Sequence, residues 1–392
     1  MGHYSTLFSS ILSQIPRHHF ENLVKQHGAD RYVKRLSTWN QFTALLYAQI
    51  SGLESLREIE GAFCVQAMRT YHLGLPAQIC RNTLSHANGK RNWRIYEGLF
   101  YKLLVRCREL TPKHKFNFKN PLYTIDATTV SLCLSLFPWS QIKHKKGAIK
   151  MHFQYDHDGD IPCFMVMTKG DESDVVAARK HIELSRDSIY CFDRGYMDSK
   201  WFRQISDAGA YFVTRRQGRL RYRIVGQHAS FHGRSNGVLD DIVVAFDGAE
   251  SKKVFPKWMR LIIYREPGRN GRTFEFLTNH LQLPAKTVAD IYKSRWQIEA
   301  FFRWVKQNLK IKTFLGTSEN AVLTQIWTAM CYYLLLAYIK YQSRYAHSLY
   351  YLHNVIRAGL MERMTRLDTL NLSQKRLNRI RDGDLQPFLP FA

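Results

Sequence analysis

Residues 123–136 read YTIDATTVSLCLSL and residues 150–168 read KMHFQYDHDGDIPCFMVMT, and the expected architecture follows from these two stretches. The first is rich in β-branched residues and alternates apolar with polar positions, as a β-strand does. The second consists of two apolar runs around Asp158, Gly159 and Asp160, which is the pattern of a β-hairpin. We therefore predict three antiparallel strands in succession.

The segments that follow alternate between helix and strand. Residues 174–184 predict a helix, residues 188–193 (SIYCFD) a short strand, residues 197–209 a helix closed by a glycine, and residues 210–216 a further strand. The resulting order, βββαβαβ, is that of a ribonuclease-H-like sheet. In that order the first and fourth strands are neighbours.

Short strands continue up to about residue 283. The runs RLRYRIVGQ, GVLDDIVVAFDG, KWMRLIIYRE and TFEFLTNH are separated by turn clusters such as PGRNG. We predict a β-rich insertion at about 217–283, followed by one amphipathic helix over residues 284–309, which Thr287 or Asp290 can cap.

The N-terminal part of the chain is helical by pattern. Apolar residues recur at three- and four-residue spacing in residues 39–63 and 92–107. Between these segments, Pro76 interrupts the pattern and Asn82, Thr83 or Ser85 can cap a short basic helix. The polar face of this helix carries Ser85, His86, Asn88, Lys90 and Arg91. It resembles the second helix of a helix-turn-helix, although a solvated surface helix has the same pattern.

Residues 108–122 contain two prolines, several charges and little periodicity, which is typical of a domain boundary. We expect an α/β protein with an α-helical DNA-binding domain over residues 1–115 and a ribonuclease-H-like catalytic domain over 116–342, which carries the β-rich insertion. The remaining residues, 343–392, form a helical C-terminal region.

The charge of the chain favours a polyanionic partner. Lys and Arg number 57 against 32 for Asp and Glu, giving a net charge of +25. Nucleic acid is the favoured partner, and an anionic membrane surface is the alternative. Residues 321–341 are apolar enough to raise the question of a membrane span, but Gln325 and Thr328 interrupt them and a buried core helix is expected. Seven cysteines scattered singly argue against a disulfide framework or a zinc ribbon and favour a reducing, intracellular setting.

Three acidic residues are candidates for metal chemistry. Asp126 lies among apolar neighbours in a strand, where a carboxylate is costly unless it is paired or bound to a metal. Asp193 ends the strand predicted to lie beside it. Glu299 lies on the helix after the sheet, with Arg295 one turn earlier and Arg303 one turn later. Oxygen ligands of this kind suit Mg²⁺ or Mn²⁺, and two such ions about 4 Å apart promote in-line phosphoryl displacement. Taken singly, Asp193 could cap a helix and Glu299 could pair with Arg295 or Arg303.

These residues resemble a known family. The spacing of Tyr292, Arg295, Glu299 and Lys306 is similar to the Y-R-E-K signature of the bacterial insertion-sequence-four family of DDE transposases. The strings TIDATT and FDRGY resemble that family's first and second aspartate motifs. The resemblance covers roughly residues 120–340.

The resemblance implies DNA cleavage and strand transfer at the terminal inverted repeats of an insertion sequence. It implies that Asp126, Asp193 and Glu299 hold two Mg²⁺ ions, for which Mn²⁺ can substitute, and that a homodimer acts on the transposon ends and target DNA. Residues expected to contact the DNA are Tyr292, Arg295, Lys306, Arg194, Lys145, Lys146, Arg215 and Arg216. Trp258 and Trp296 are available to stack on a flipped base, as occurs in some relatives. No membrane is expected, and the protein would lie in the bacterial cytoplasm, on the nucleoid when bound to DNA.

Two other functions fit parts of this pattern. A ribonuclease-H-like nuclease or resolvase would use the same acids, but it gives no reason for the Y-R-E-K helix or the insertion. A catalytically inactive, transposase-derived DNA-binding regulator would keep the basic surfaces, but the presence of all three acids speaks against it.

Overall fold

The computed structural model describes residues 6–363 except 71, 72, 74, 77, 143–145, 219, 232, 234, 269, 270 and 310–312. The chain divides into two compact units. The helical unit consists of Met1–Thr111 and Trp304–Ala392, and the sheet unit consists of Pro112–Arg303.

The elements follow one another along the chain in a fixed order. They are α1 (Leu7–Leu12), α2 (Arg17–Gln26), α3 (Thr38–Ser51), α4 (Leu56–Val65), α5 (Ala67–Thr70), α6 (Arg81–Lys90), α7 (Arg94–Arg108), β1 (Leu122–Leu132), β2 (Gln141–Ile142), β3 (Lys146–Asp156), β4 (Ile161–Lys169), α8 (Asp174–His181), β5 (Ile189–Phe192), α9 (Ser199–Asp207), β6 (Tyr211–Arg215), β7 (Tyr222–Gln227), β8 (Val238–Phe246), α10 (Ala249–Val254), β9 (Met259–Arg265), β10 (Thr273–Thr278), α11 (Ala285–Ser294), α12 (Trp296–Asn308), α13 (Glu319–Gln342) and α14 (Leu349–Ala358).

Helix α13 forms the centre of the helical unit, where it packs against α3, α6, α7 and α14. Within the described part of the chain it is the one helix long and apolar enough to cross a membrane, and 94% of its apolar window is buried. The prediction of a buried core helix is confirmed. Burial on all sides explains why this helix needs no polar face.

The predicted cap of α6 is wrong. The helix begins at Arg81, before Asn82, Thr83 and Ser85, and its Arg81 backbone N–H donates to Glu60 Oε1 at 3.1 Å. A side chain from α4 therefore satisfies an N–H that the local sequence leaves open.

Two of the five polar residues predicted on the exposed face of α6 are buried instead. Asn88 accepts a hydrogen bond from Gln41 Nε2 at 2.8 Å, and Arg91 Nη1 donates to Gln41 Oε1 at 3.0 Å. Ser85, His86 and Lys90 remain exposed. Asn88 and Arg91 therefore tie α6 and the residue after it to α3, and only part of the predicted polar face is open to a partner.

The hairpin and the three antiparallel strands are confirmed. Strand β3 pairs antiparallel with both β1 and β4, and Gly159 adopts a φ of 78° in the turn between β3 and β4. Strand β5 lies parallel to β1, with Leu122 opposite Ile189 and Ile125 opposite Phe192. The prediction that the first strand lies beside the short strand SIYCFD is therefore confirmed.

The later strands extend the same sheet. Beyond β6, the order continues with β10, β9, β8 and β7, and every pairing among them is antiparallel. One face of the sheet is covered by aromatic residues of α9 and the segment before it, including Tyr196, Trp201 and Phe202. The other face is covered by α11 through Val288 and Ile291. The result is an α/β unit built on one mixed sheet, with helices on both of its faces.

The helix predicted over residues 284–309 is interrupted. It forms α11 and α12, which meet at Arg295, whose backbone N–H donates to Tyr292 O at 3.2 Å, three residues earlier. The predicted caps are also wrong, because α11 begins at Ala285 after Pro284, so that Thr287 and Asp290 lie inside the helix.

Candidate active site

Asp126 lies on β1 on the face of the sheet that α11 and α12 cover. It stands opposite Phe153 of β3, whose ring contacts Phe301 of α12 with centroids 5.3 Å apart. The side chain of Asp126 is only 20% exposed, and its Oδ1 accepts a hydrogen bond from the Ala127 N–H at 2.8 Å. Alternation along the strand therefore places a carboxylate under a helix, where its charge needs a cationic partner.

Asp193 is the first residue after β5, the strand next to β1. Its Oδ1 accepts a hydrogen bond from the Gly195 N–H at 2.7 Å, so it caps the short turn that follows the strand. A Cβ atom on Gly195 would stand 2.9 Å from that same oxygen. Glycine at this position therefore allows the Asp193 carboxylate to lie against the turn.

Arg295 bridges Asp126 and the third acid, Glu299. Its Nη1 donates to Asp126 Oδ2 at 3.3 Å and its Nη2 donates to Glu299 Oε1 at 2.6 Å. The guanidinium is only 15% exposed, whereas the Glu299 side chain is 32% exposed. Of the two partners that the sequence offered Glu299, the structure selects Arg295. The other candidate, Arg303, lies over the ring of Trp296, 5.9 Å from its centroid.

The pKa of Asp126 reflects its burial and the charges around it. Burial raises the pKa of Asp126 to about 6, the Ala127 N–H and the Arg295 charge oppose the rise, and the charges of Asp193 and Glu299 add to it. The pKa of Arg295 is lowered by burial, but the hydrogen bond to Glu299 and the nearby anionic groups outweigh this effect and raise it overall. The carboxylates are therefore close enough to repel one another, and Arg295 offsets part of that repulsion.

The donor chemistry of the three acids fits a hard divalent cation, because all the donors are carboxylate oxygens. The present geometry places a guanidinium between two of them. Among the described residues, no three His, Cys, Asp or Glu side chains converge to hold a metal ion. The donor set of Asp126, Asp193 and Glu299 therefore suits a metal ion in its chemistry, while Arg295 bonds to two of the three carboxylates in the structure.

An aromatic cleft of about 770 Å³ adjoins this site. Its lining includes Tyr292 and Arg295 from the end of α11, Trp296 from the start of α12, and Phe274 and Phe276 from β10. The Arg295 guanidinium lies 5.6 Å from the centroid of the Tyr292 ring. The cleft therefore combines aromatic faces with charges of both signs, because Glu266 and Asp290 line it along with the basic residues. The sequence pattern predicted neither Phe274 nor Phe276 as part of a site.

The two tryptophans offered for base stacking lie at different places. Trp296 is 57% exposed and lines the aromatic cleft. Trp258 is equally exposed but lines a separate cavity of about 490 Å³, together with Tyr211 at the start of β6. Because Asp193 follows the far end of the parallel strand β5, this second cavity lies at the opposite end of the sheet from the three acids.

The remaining basic candidates have different surroundings. Arg215 lies over the ring of Phe274 at 4.8 Å, whereas Arg216 forms an ion pair with Glu275 and also lies over Tyr222. Arg194 is exposed beside Asp193, and Lys306 is half-buried on α12. Lys145 lies outside the described residues, and so does the side chain of Lys146 at the start of β3.

His157 is a further residue near the site that the sequence did not reveal. It is buried at the end of β3, bonds to Thr124 Oγ1 through Nε2 at 2.7 Å, and also bonds to the side chain of Gln297. It thus links β1, two residues before Asp126, to the first turn of α12, two residues before Glu299. A lone histidine after a strand gave no pattern from which this link could be predicted.

Comparison with known proteins gives two family matches. Residues 117–335 match the family described as the transposase DDE domain, and residues 3–76 match a domain of unknown function (DUF4372).

Individual relatives are consistent with the first match. The chain is 33% identical over 255 residues to a Sinorhizobium fredii protein described as transposase y4zB, covering 64% of this chain and 69% of that one. It is 26% identical over 334 residues to a Geobacillus stearothermophilus protein described as a transposase for insertion sequence element IS5377, covering 82% and 85%. Among solved structures, the piggyBac transposase synaptic complex with hairpin DNA aligns at a TM-score of 0.42 and 10% identity, over 99% of this chain and 86% of that one.

Proposed function

The chain belongs to the transposase DDE domain family, and on that basis we propose that it is a transposase that binds the terminal inverted repeats of an insertion sequence and catalyses metal-dependent cleavage and transfer of DNA strands. One observation carries the proposal. Asp126 of β1 and Glu299 of α12 are bridged by Arg295, and Asp193 follows β5, the strand that pairs parallel with β1. All of these residues lie within the matched segment, residues 117–335.

Asp126, Asp193 and Glu299 would hold the metal in this proposal. Two Mg²⁺ ions, for which Mn²⁺ can substitute, would activate the attacking water or 3′-hydroxyl and stabilise the leaving oxygen. The protein itself would position the acids that hold the metal. Asp126 and Asp193 are fixed on neighbouring parallel strands, and Gly195 and His157 fix the backbone around them. The buried position of Asp126 limits water and strengthens its electrostatic interactions.

The DNA contacts would lie around the aromatic cleft. Tyr292, Arg295 and Lys306 would hold the backbone of the transposon end, and Trp296 is the better placed of the two tryptophans to stack on a flipped base. Arg215, Arg194, Lys145 and Lys146 would add phosphate contacts there or on target DNA. Arg216 would contribute less, because its charge is already paired with Glu275.

The domain roles are part of the same proposal. The helices of residues 1–115 would bind DNA, residues 217–283 would be an insertion in the catalytic domain 116–342, and residues 343–392 would support a homodimer on paired ends. The Y-R-E-K spacing would assign the chain to the insertion-sequence-four group. The protein would work in the bacterial cytoplasm, on the nucleoid when bound to DNA, and without a membrane.

The test is strand cleavage by the purified protein. With Mg²⁺, it should nick or transfer a duplex carrying the inverted repeats that flank its gene. Asp126→Asn should abolish cleavage while leaving DNA binding in a mobility-shift assay intact. Asp187→Asn is the matched control, because Asp187 is exposed and has a φ of 61°, which asparagine adopts readily. Unchanged cleavage by Asp126→Asn would refute the assignment of the site. DNA binding without cleavage by the unsubstituted protein would favour the regulator.

A further inference from the structure

The Arg295 guanidinium lies between the carboxylates of Asp126 and Glu299. It donates to Asp126 Oδ2 at 3.3 Å and to Glu299 Oε1 at 2.6 Å, and it is itself only 15% exposed. We propose that Arg295 is an internal counter-ion that closes the metal site in the DNA-free protein and opens it by exchanging these carboxylates for a DNA phosphate. This proposal rests on the proposed function, because it presumes that the three acids bind metal.

Charge and geometry both favour the position of the Arg295 guanidinium between the carboxylates. Three carboxylates in one partly buried site repel one another, and a cation between them lowers the electrostatic energy. The guanidinium is a cation of this kind, with planar donors that match two carboxylate oxygens. A metal ion that bound to Asp126 and Glu299 would have to displace it. The chain therefore neutralises its own site at the expense of affinity for a free metal ion.

The Arg295 guanidinium has an alternative position nearby, in the aromatic cleft. Arg295 lines the aromatic cleft and lies 5.6 Å from the centroid of the Tyr292 ring, so a rotation of its side chain would keep contact with that ring. Its Nε is buried and has no hydrogen-bond partner in the structure, which leaves one donor available to a new acceptor. The exposed Lys293 also lines this cleft. Glu266 and Asp290 line the cleft as well, and Asp290 pairs with Lys286, so Lys293 and Arg295 are the cations left to face a ligand there. A phosphate is the acceptor that best matches an arginine fork.

The backbone around Arg295 allows such a movement without unfolding a helix. Arg295 lies at the junction of α11 and α12, and its N–H bonds to Tyr292 O, three residues earlier, instead of to the residue four earlier. A side chain at a junction is less constrained by helical neighbours than one inside a helix.

The coupling must be reciprocal. If phosphate draws Arg295 away from the acids, DNA raises the affinity for metal, and metal raises the affinity for DNA by the same factor. The protein would then assemble a reactive metal site only when DNA is bound.

Metal binding to DNA-free protein tests the proposal without relying on activity. Titration with Mn²⁺, followed by calorimetry or by the paramagnetic signal of the free ion, should show that Arg295→Gln binds at least about fivefold more tightly than the unsubstituted protein, which is the lower end of typical coupling factors. Arg203→Gln is the matched control, because Arg203 forms an i,i+4 ion pair with Asp207 on α9, outside the site. It should bind Mn²⁺ as the unsubstituted protein does.

A second measurement keeps the test independent of the folding of Arg295→Gln. Addition of the duplex end that flanks the gene should tighten Mn²⁺ binding by the unsubstituted protein by at least the same factor of about five. Equal or weaker binding by folded Arg295→Gln would overturn the counter-ion proposal, and so would the absence of any effect of the duplex. If Asp126→Asn still abolished Mn²⁺ binding in those cases, the proposed function would stand. Mn²⁺ binding that never depended on Asp126, with or without DNA, would overturn the proposed function itself.

Discussion

Substitution of Asp241 should destabilise the sheet unit severely, because Asp241 neutralises a fully buried arginine. Arg260 is 0% exposed and Asp241 is 1% exposed. Arg260 Nε donates to Asp241 Oδ1 at 2.7 Å, Nη2 donates to Oδ2, and Nη1 donates to the carbonyl of Leu283. The pair therefore ties β8 and β9 to the segment that enters α11, the helix that carries Tyr292.

Asp241→Asn keeps the shape of the side chain but removes its charge. The Arg260 guanidinium would then be buried without a counter-ion, a situation that costs about 3–5 kcal/mol in measured cases. Total stabilities of domains are about 5–15 kcal/mol, so the loss is a large fraction. In a unit of this size, 1 kcal/mol corresponds to about 2–4 °C, which predicts a fall in melting temperature of roughly 6–20 °C.

Thermal and urea unfolding of the purified variants measure the effect. The double variant Arg260→Met with Asp241→Leu should recover most of the lost stability, because the cost arises from the unpaired charge and an apolar pair of similar volume avoids it. Asp207→Asn, which breaks the exposed ion pair with Arg203, should change stability far less. A melting temperature of Asp241→Asn close to that of the unsubstituted protein would refute the reasoning, as would a double variant no more stable than the single one.

Three further predictions concern the site and the pH dependence of the fold. Burial lowers the pKa of four histidines to about 4, namely His152, His157, His280 and His353, from an ordinary value of 6.5. Because the unfolded chain binds these protons first, stability should be full above pH 6.5 and should fall as the pH falls from 6.5 to about 4, each histidine contributing a slope of up to about 1.4 kcal/mol per pH unit. Urea unfolding at several pH values measures this, and a flat profile over that range would contradict it. Gly195→Ala should slow strand cleavage without weakening DNA binding, because the new Cβ would stand 2.9 Å from Asp193 Oδ1 and displace the carboxylate. Cleavage rates and mobility shifts measured on the same duplex would separate the two effects. A cleavage rate equal to that of the unsubstituted protein would argue against a fixed Asp193. Trp296→Ala should weaken binding to a transposon end by about 1–3 kcal/mol, the usual contribution of one stacked base, whereas Trp258→Ala should leave it unchanged; equal losses in a binding titration would contradict the placement of the two side chains.

The sequence determined the elements whose pattern is local. Alternation in residues 123–136, together with the turn at Asp158 to Asp160, was sufficient for the three antiparallel strands. The order of elements was sufficient to bring β1 and β5 together, and with them the backbone positions of Asp126 and Asp193. These predictions succeeded because period-two hydrophobicity and turn residues act within a few residues of one another.

Only the tertiary structure decided which side chains pair across the fold. Arg295 lies 169 residues from Asp126 along the chain, and no local pattern records that contact. For the same reason the sequence could not show that Glu60 caps α6, that Asn88 is buried against Gln41, or that Arg216 is paired with Glu275. It also gave no indication that the helix predicted over residues 284–309 is interrupted at Arg295. The three acids were proposed from short sequence motifs, and that assignment stays a prediction. The Arg295 charge that lies between Asp126 and Glu299 follows from packing, because the sheet brings distant residues to the same helix.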